Sequence, residues 1–302
     1  VVEQVEREFL DPAVLSRLGN LSLFARKPMM GSVSGRHRSP HRGSSIEFAE
    51  YRKYVAGDDP RRLDWRAYGR SDRFYVKEFE ADTNLRLIPV IDASGSMRYP
   101  TTRESKLQYA KKIVGTLAYL ASQQGDAVGL VCAAEKLGRQ IPPRRNPAHL
   151  RVVFDGLAEL RAEGETGLVA ALHAVAEQTP QRALIVIVSD LFVPPAELAG
   201  CFQHLRFRKH DVAVFHLLES AELDFHFDRP TRFLDLEGGA AVLVEPSAIR
   251  RQYDAALREY LTGLDQAVRE AAIDYHRVRV NDSHGDVLAR FLLGRTPRRI
   301  RR

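Results

Sequence analysis

The chain has 302 residues, 44% hydrophobic and 28% charged, a composition that excludes a disordered or fibrous protein and allows a substantial core. Its formal net charge of +6 is spread along the chain rather than gathered into a motif, so nucleic-acid binding would rest on charge alone. No apolar run approaches the ~20 residues a membrane-spanning helix needs and no signal peptide precedes Val1-Val2-Glu3-Gln4, so a cytoplasmic location is expected. Cys132 and Cys201 are far apart, each in an apolar setting, and are expected as buried thiols rather than a bridge or ligands.

Residues 1 to 25 carry Val5, Phe9, Leu10, Val14, Leu15 and Leu18 at helical spacing, with Pro12 forcing a break or restart. From Pro28 to Ser45 the chain turns to Gly, Ser, Pro, Arg and His, and periodicity is lost. His37 and His41 lack Cys or acidic partners at ligand spacing and read as surface residues. Between residues 43 and 80 aromatic side chains alternate with paired charges around the single Trp65. Guanidinium forks there suit Asp58, Asp59 and Asp64, which predicts a clasp packed on the main domain with Trp65 buried.

The stretch Leu85 to Asp92 is an apolar run that ends in Asp92-Ala93-Ser94-Gly95-Ser96-Met97, and it reads as a buried strand entering a loop. A helix over Glu104–Gln123 follows, with Leu107, Ala110, Val114, Leu117, Ala118 and Ala121 on one face and Gly125 at its end. Asp126–Ala134 and Gly138–Pro142 are expected as a strand and its hairpin partner. Leu150, Val153, Phe154 and Leu157 mark a helix, and another opens at Thr166, before the strand Ala183–Ser189 that ends at Asp190. Pro195–Arg208 reads as a helix and Asp211–Leu218 as a strand, on which His216 is expected to be a hydrogen-bonded core residue. Thr231–Leu236 and Ala240–Glu245 read as a hairpin turning at Gly238-Gly239. A long helix with Ile249, Tyr253, Leu257, Tyr260, Leu264 and Val268 on one face comes next, then a strand at Tyr275–Val280 and a short helix at Val287–Leu293. The tail from Arg295 to Arg302 is expected to be solvated.

This alternation predicts an α/β fold with a doubly wound, mostly parallel sheet of the Rossmann type. Ligands of such sheets bind beyond the carboxyl ends of the strands, where Asp92, Ser94, Ser96, Thr166 and Asp190 all fall. Carboxylate and hydroxyl oxygens converging on one point suit a hard divalent cation, Mg²⁺ before Mn²⁺ or Ca²⁺. The competing reading makes Ser94 and Ser96 helix caps, and Asp92 and Asp190 ordinary turn residues.

The set resembles the metal-ion-dependent adhesion site of von Willebrand factor A domains, Asp-x-Ser-x-Ser followed by a distant Thr and a distant Asp. The resemblance implies hydroxyl ligation by Ser94 and Ser96, a third ligand at Thr166, and waters held by Asp92 and Asp190. One departure is Leu191, where that family usually has Gly. A Glu-Phe, Arg-x-Tyr and Gly-Asp-Asp-x-Arg-x-x-Asp-Trp series over residues 47 to 65, just ahead of the first sheet strand, is similar to the bacterial domain-of-unknown-function 58 family, the combined match running from about Gly31 to about Val214. That resemblance implies residues 1–84 strapped onto a von Willebrand A-like domain at 85–302, with a hairpin insertion near 224–245. It also implies a partner, a MoxR-type AAA+ ATPase or its client, acting in protein maturation or remodelling. The expected function is a non-enzymatic, metal-dependent protein interaction completed by a partner's acidic residue. The alternative, a Mg²⁺-dependent phosphatase, wants a second carboxylate two positions after Asp92, where Ser94 stands.

Overall fold

The computed structural model describes residues 7–25, 48–53, 69, 75–79, 85–99, 104–134 and 137–296. The expected clasp of Asp58, Asp59, Asp64 and Trp65, His37, His41 and the tail 297–302 lie outside these residues.

In chain order the elements are α1 (Pro12–Leu18), β1 (Phe48–Lys53), β2 (Tyr75–Phe79), β3 (Arg86–Asp92), a 3₁₀ turn (Gly95–Arg98), α2 (Lys106–Gln123), β4 (Ala127–Ala133), β5 (Leu137–Arg144), α3 (Pro147–Glu159) and α4 (Leu168–Gln178). They continue with β6 (Leu184–Ser189), α5 (Pro195–Phe207), β7 (Asp211–Leu218), α6 (Ser220–Asp224), β8 (Thr231–Phe233), β9 (Val242–Val244), α7 (Pro246–Glu270), β10 (Asp274–Arg279) and α8 (His284–Arg295). β1 and β2 pair antiparallel with each other.

The main sheet runs β10-β7-β6-β3-β4-β5, parallel except for the antiparallel edge strand β5. The chain leaves β3 to one side for β4 and β5, then returns to the other side for β6. The carboxyl ends of β3 and β6 are therefore neighbours at the reversal of strand order, where an open α/β sheet leaves a crevice. Side chains alternate strictly across this sheet. Leu87 and Ile91 of β3, with Leu184, Val186 and Val188 of β6, join a cluster under α1, α2, α3 and α8. Ile88, Val90, Ile185 and Ile187 join the opposite cluster under α4, α5 and α7. This is the doubly wound architecture expected of a von Willebrand A-like domain.

Local chemistry sets the helix starts. Ser105 and Gln108 form a reciprocal capping box at the start of α2, and Gly125, at φ +80°, follows that helix. Asp11 caps α1 with Pro12 in its first turn, so Pro12 initiates a short helix instead of interrupting a longer one. Phe9, Val14, Leu18 and Leu23 nonetheless sit in the main core.

Two expectations need correction. The insertion strands β8 and β9 have only three residues each, leaving 234–241 as a long connecting loop rather than a tight glycine turn. Arg295 is not part of a solvated tail. It is buried, donating to Asp274 at 2.9 Å, Asp211 at 2.8 Å and the Phe24 carbonyl at 3.1 Å, because two carboxylates at the starts of β7 and β10 supply its counter-charge. Cys132 and Cys201 are free and buried as expected, and burial pushes both thiols up to about 11.

His216 is fully buried and its Nδ1 shares a 2.6 Å hydrogen bond with the Tyr275 hydroxyl, the core role expected of it. Burial, then the charge of Arg277, lowers it to about 3; burial and three nearby basic side chains lower His210 to about 4. Histidines kept neutral in the fold gain protons on unfolding below about 6.5, so their contribution is complete above that value and is lost as pH falls toward 4. Thermal melting should therefore drop between pH 6.5 and 4, and His216→Gln, which cannot charge, should make that decline shallower. An unchanged slope would contradict the assignment.

Candidate functional site

Asp92 ends β3 with its side chain about 1% exposed. Its Oδ1 accepts the Ser94 amide at 2.9 Å and its Oδ2 accepts the Ser189 hydroxyl at 2.6 Å. The same Ser189 hydroxyl accepts the Leu191 amide at 2.8 Å, so one serine ties the loop after β3 to the loop after β6. Ser94 and Ser96 turn their hydroxyls toward each other, 3.0 Å apart. The loop before α4 is bonded to the same place: the Gly95 amide donates to the Gly164 carbonyl at 2.8 Å and the Glu163 amide to the Ala93 carbonyl at 2.9 Å. That loop carries Thr166, half-buried, whose hydroxyl accepts a long 3.4 Å bond from the Leu168 amide.

Three loops thus bring together the segments that carry Asp92, Ser94, Ser96, Thr166 and Asp190. The capping alternative fails for the serines. Ser94 precedes only a 3₁₀ turn and makes no side-chain cap bond, and α2 is capped by Ser105. Asp92 does make the turn bond to Ser94, so that part of the ordinary reading holds alongside the clustering.

Three features were not visible in sequence. The first is Lys106, fully buried in the first turn of α2. Its ammonium bridges Asp190 Oδ2 at 3.0 Å and Glu222 Oε1 at 2.5 Å. Burial alone would lower this lysine, but Asp190 and Glu222 outweigh it and hold the group above its ordinary range. The second is the conformation of Leu191, the residue already noted where von Willebrand A domains usually have Gly: its backbone is left-handed, φ 55°. It keeps the backbone a glycine would adopt, accepts strain of about 1–2 kcal/mol and buries its side chain completely in the core under α5 and α7. Leu191→Gly should relieve the strain yet lose more from the emptied core, a net destabilisation of about 1–3 kcal/mol by chemical denaturation. Increased stability would contradict this. The third is the insertion loop, whose Leu236 carbonyl lies so close to Gly95 that a Cβ at residue 95 would overlap it. Gly95 is needed for this close approach rather than for the turn, since its own backbone is not left-handed.

Electrostatically the site is crowded with carboxylates. Burial first, and Asp190 second, push Asp92 up to about 6, against the bonds from Ser189 and Ser94. Its linkage runs opposite to that of the histidines: its contribution is present below its unfolded value of 3.8 and is lost as pH rises through about 6. One carboxylate against two imidazoles leaves the acid decline in place. Asp190 Oδ1 is buried and has no hydrogen-bond partner. An orphaned carboxylate oxygen in a buried site is costly unless a cation or water is meant to meet it.

Among the described residues no three His, Cys, Asp or Glu side chains are grouped to hold a metal ion, so a cation here would have to rest on hydroxyl oxygens. The donors fit one. Neighbouring ligands of an octahedral ion with bonds of about 2.0–2.1 Å lie about 3 Å apart, the spacing of the two serine hydroxyls. Beside Asp190 an apolar groove of about 340 Å³ runs under α7, lined by Phe192, His216, Tyr253, Leu257 and Tyr260.

Comparison with known proteins gives similarity along nearly the whole chain. The uncharacterized protein Rv1480 of Mycobacterium tuberculosis is 24% identical over 290 residues, 94% of this chain and 90% of that protein. Among solved structures, the conserved hypothetical protein BatB from Bacteroides thetaiotaomicron superposes with a TM-score of 0.47 at 17% identity, covering 70% of this chain and 98% of that one. The SpRpn10 VWA domain gives a TM-score of 0.43 at 10% identity, covering 71% and 96%. Residues 50–262, well over half of the chain, match a family defined by sequence, reaching past β7 through the insertion and into α7. The chain belongs to that family, described as protein of unknown function DUF58.

Proposed function

We propose that this protein is a non-enzymatic interaction module that holds a divalent cation, Mg²⁺ in the first instance, on Ser94 and Ser96. Thr166 would be a further ligand, directly or through water, and Asp92 and Asp190 would orient coordinated waters. The observation that carries this reading is the hydrogen-bonded pair of serine hydroxyls, 3.0 Å apart and so also at octahedral spacing, with the unpartnered Asp190 oxygen at the end of the neighbouring strand. Neutral hydroxyl donors leave such an ion with more net positive charge than carboxylates would, which favours capture of an outside carboxylate. What the ion supplies when bound is one strong electrostatic contact for an acidic residue of a partner. The chain's own residues do the rest: Ser189 locks Asp92 in place, Lys106 neutralises Oδ2 of Asp190, and the groove beside Asp190 receives apolar side chains next to that acidic residue. Family membership makes a MoxR-type AAA+ ATPase, or its client, the partner to test, in the cytoplasm. Hydrolysis of a phosphate ester is the weaker reading, because Ser94 stands where that chemistry wants an acid.

The test is titration of the purified protein with such an ATPase. Association should require Mg²⁺ and should be lost in chelator and in Asp92→Ala. Equal affinity in excess chelator would refute metal-dependent docking, and Mg²⁺-dependent phosphatase turnover that disappears in Asp92→Asn would assign the site to an enzyme.

A further inference from the structure

Asp190 and Lys106 act as one unit at the reversal of strand order. In the register of β3 and β6, Ile91 stands opposite Val188, so Asp190 lies one residue past the neighbour of Asp92, and its charge is felt there as the second cause, after burial, that raises Asp92. The Lys106 ammonium takes Oδ2 of Asp190, and Oδ1 is buried with no hydrogen-bond partner. The rings of Tyr99 and Phe192 flank the ammonium at 5.8 and 5.4 Å, and with the lysine side chain about 1% exposed, water does not screen its charge.

The ammonium is anchored from its other side as well. Glu222 meets it through Oε1, while Oε2 accepts the Glu219 amide at 2.7 Å and the Glu222 carbonyl accepts the Tyr253 hydroxyl at 2.6 Å. Tyr253 in turn stacks on Phe225 at 4.3 Å, and Phe225 packs against Phe227 and Phe233. Turning Asp190 fully toward a cation would pull its carboxylate off a fixed ammonium and strand a buried charge. The charges then decide what the ion can accept. Asp92, Asp190 and Glu222 carry three negative charges, and a divalent ion together with Lys106 carries three positive ones, so the set is neutral with the lysine and anionic without it. An anionic set would repel an acidic residue.

We propose that Lys106 is a positioning residue that keeps Asp190 out of the cation's inner shell, so that one coordination position stays with water and open to a partner's carboxylate. This rests on the cation reading above and deepens it, because one buried ammonium determines which ligand the ion still takes. Without that ammonium Asp190 would fill the position itself, the ion would bind more tightly and an outside carboxylate would be shut out. Affinity for the ion and capture of a carboxylate thus move in opposite directions, which a loss of packing or stability would not produce.

The experiment uses the full chain, Mn²⁺ and acetate. Mn²⁺ affinity is measured by calorimetry, and the waters on the bound ion are counted from water-proton relaxation before and after saturating acetate. The wild type is compared with Lys106→Met, Glu222→Gln and Ser94→Ala/Ser96→Ala, all well below the melting temperature of the least stable variant. Acetate should displace about one water from the wild-type ion. Lys106→Met should bind Mn²⁺ about tenfold tighter, carry about one water fewer and lose the acetate response. Glu222→Gln, which leaves the ammonium to Asp190 alone, should bind Mn²⁺ about threefold more weakly and keep both the water and the acetate response. A folded Lys106→Met that matches the wild type in affinity, hydration and acetate response, or that binds Mn²⁺ more weakly, refutes the positioning role and leaves the cation site standing. So does a wild-type ion from which acetate displaces no water. If Lys106→Met does not fold, Glu222→Gln decides: Mn²⁺ bound as tightly as in the wild type, or more tightly, refutes the role. If the wild type does not bind Mn²⁺, or the serine variant binds it equally well, the cation reading itself fails and takes this proposal with it.

Discussion

Ser94→Ala/Ser96→Ala should lower affinity for Mg²⁺ by about 100-fold or more. Losses outside the inner sphere of a metal already cost about 10–100-fold, and this change removes two inner oxygens. In chelator the same variant should stay folded, giving up one part-buried hydroxyl pair worth about 1 kcal/mol, or roughly 2–4 °C in melting temperature for a domain of this size. The small thermal shift matters because Ser94 is fully buried, so loss of binding would otherwise be open to explanation by unfolding. A variant that melts normally and still binds Mg²⁺ like the wild type would remove the serines from the site.

Replacing Lys106 by Met should have the largest effect on stability. The ammonium is buried with Asp190, each side chain about 1% exposed, and it also meets Glu222. Removing it leaves a buried carboxylate without counter-charge, which costs about 3–5 kcal/mol, or roughly 6–20 °C in melting temperature. Adding Asp190→Asn to the lysine variant should recover a substantial part of that loss, because the stranded charge goes with it. Additive losses in the double variant would mean that the lysine acts through packing, against the rings of Tyr99 and Phe192, rather than through charge.

The sheet was legible because its strands are buried on both faces and read as unbroken apolar runs. Leu184 to Val188 is one, and its end at Ser189-Asp190 could be placed at the carboxyl edge from sequence alone. The helices were legible from their apolar stripes, as in α2 and α3, while their caps at Ser105 and Asn146 emerge only from the structure. The segments carrying all five candidate site residues came together because motif spacing and strand order coincide at the reversal between β3 and β6. What could not be read was decided by contacts remote in sequence. Lys106 looks like any lysine in a first helical turn until Asp190 and Glu222, 84 and 116 residues away, are placed beside it. Leu191 gives no sign of its left-handed backbone, since the energy that holds it there comes from packing under α5 and α7. The insertion was recognised as a hairpin, but its reach onto Gly95 depends on the Phe225, Phe227, Phe233 and Tyr253 cluster, which no local pattern announces. Ser189 is legible in retrospect from chemistry alone: a hydroxyl at the end of a fully buried run must find a partner, and it finds Asp92.

A divalent cation is proposed to rest on the serines of the loop after β3. Crystals of the wild-type protein grown with Mn²⁺ and measured near the manganese absorption edge test it most directly. One anomalous peak is expected within about 2.2 Å of both Ser94 Oγ and Ser96 Oγ, with Thr166, Asp92 and Asp190 reached directly or through water. Saturating Mn²⁺ with no peak there, or with peaks only elsewhere on the surface, would contradict it.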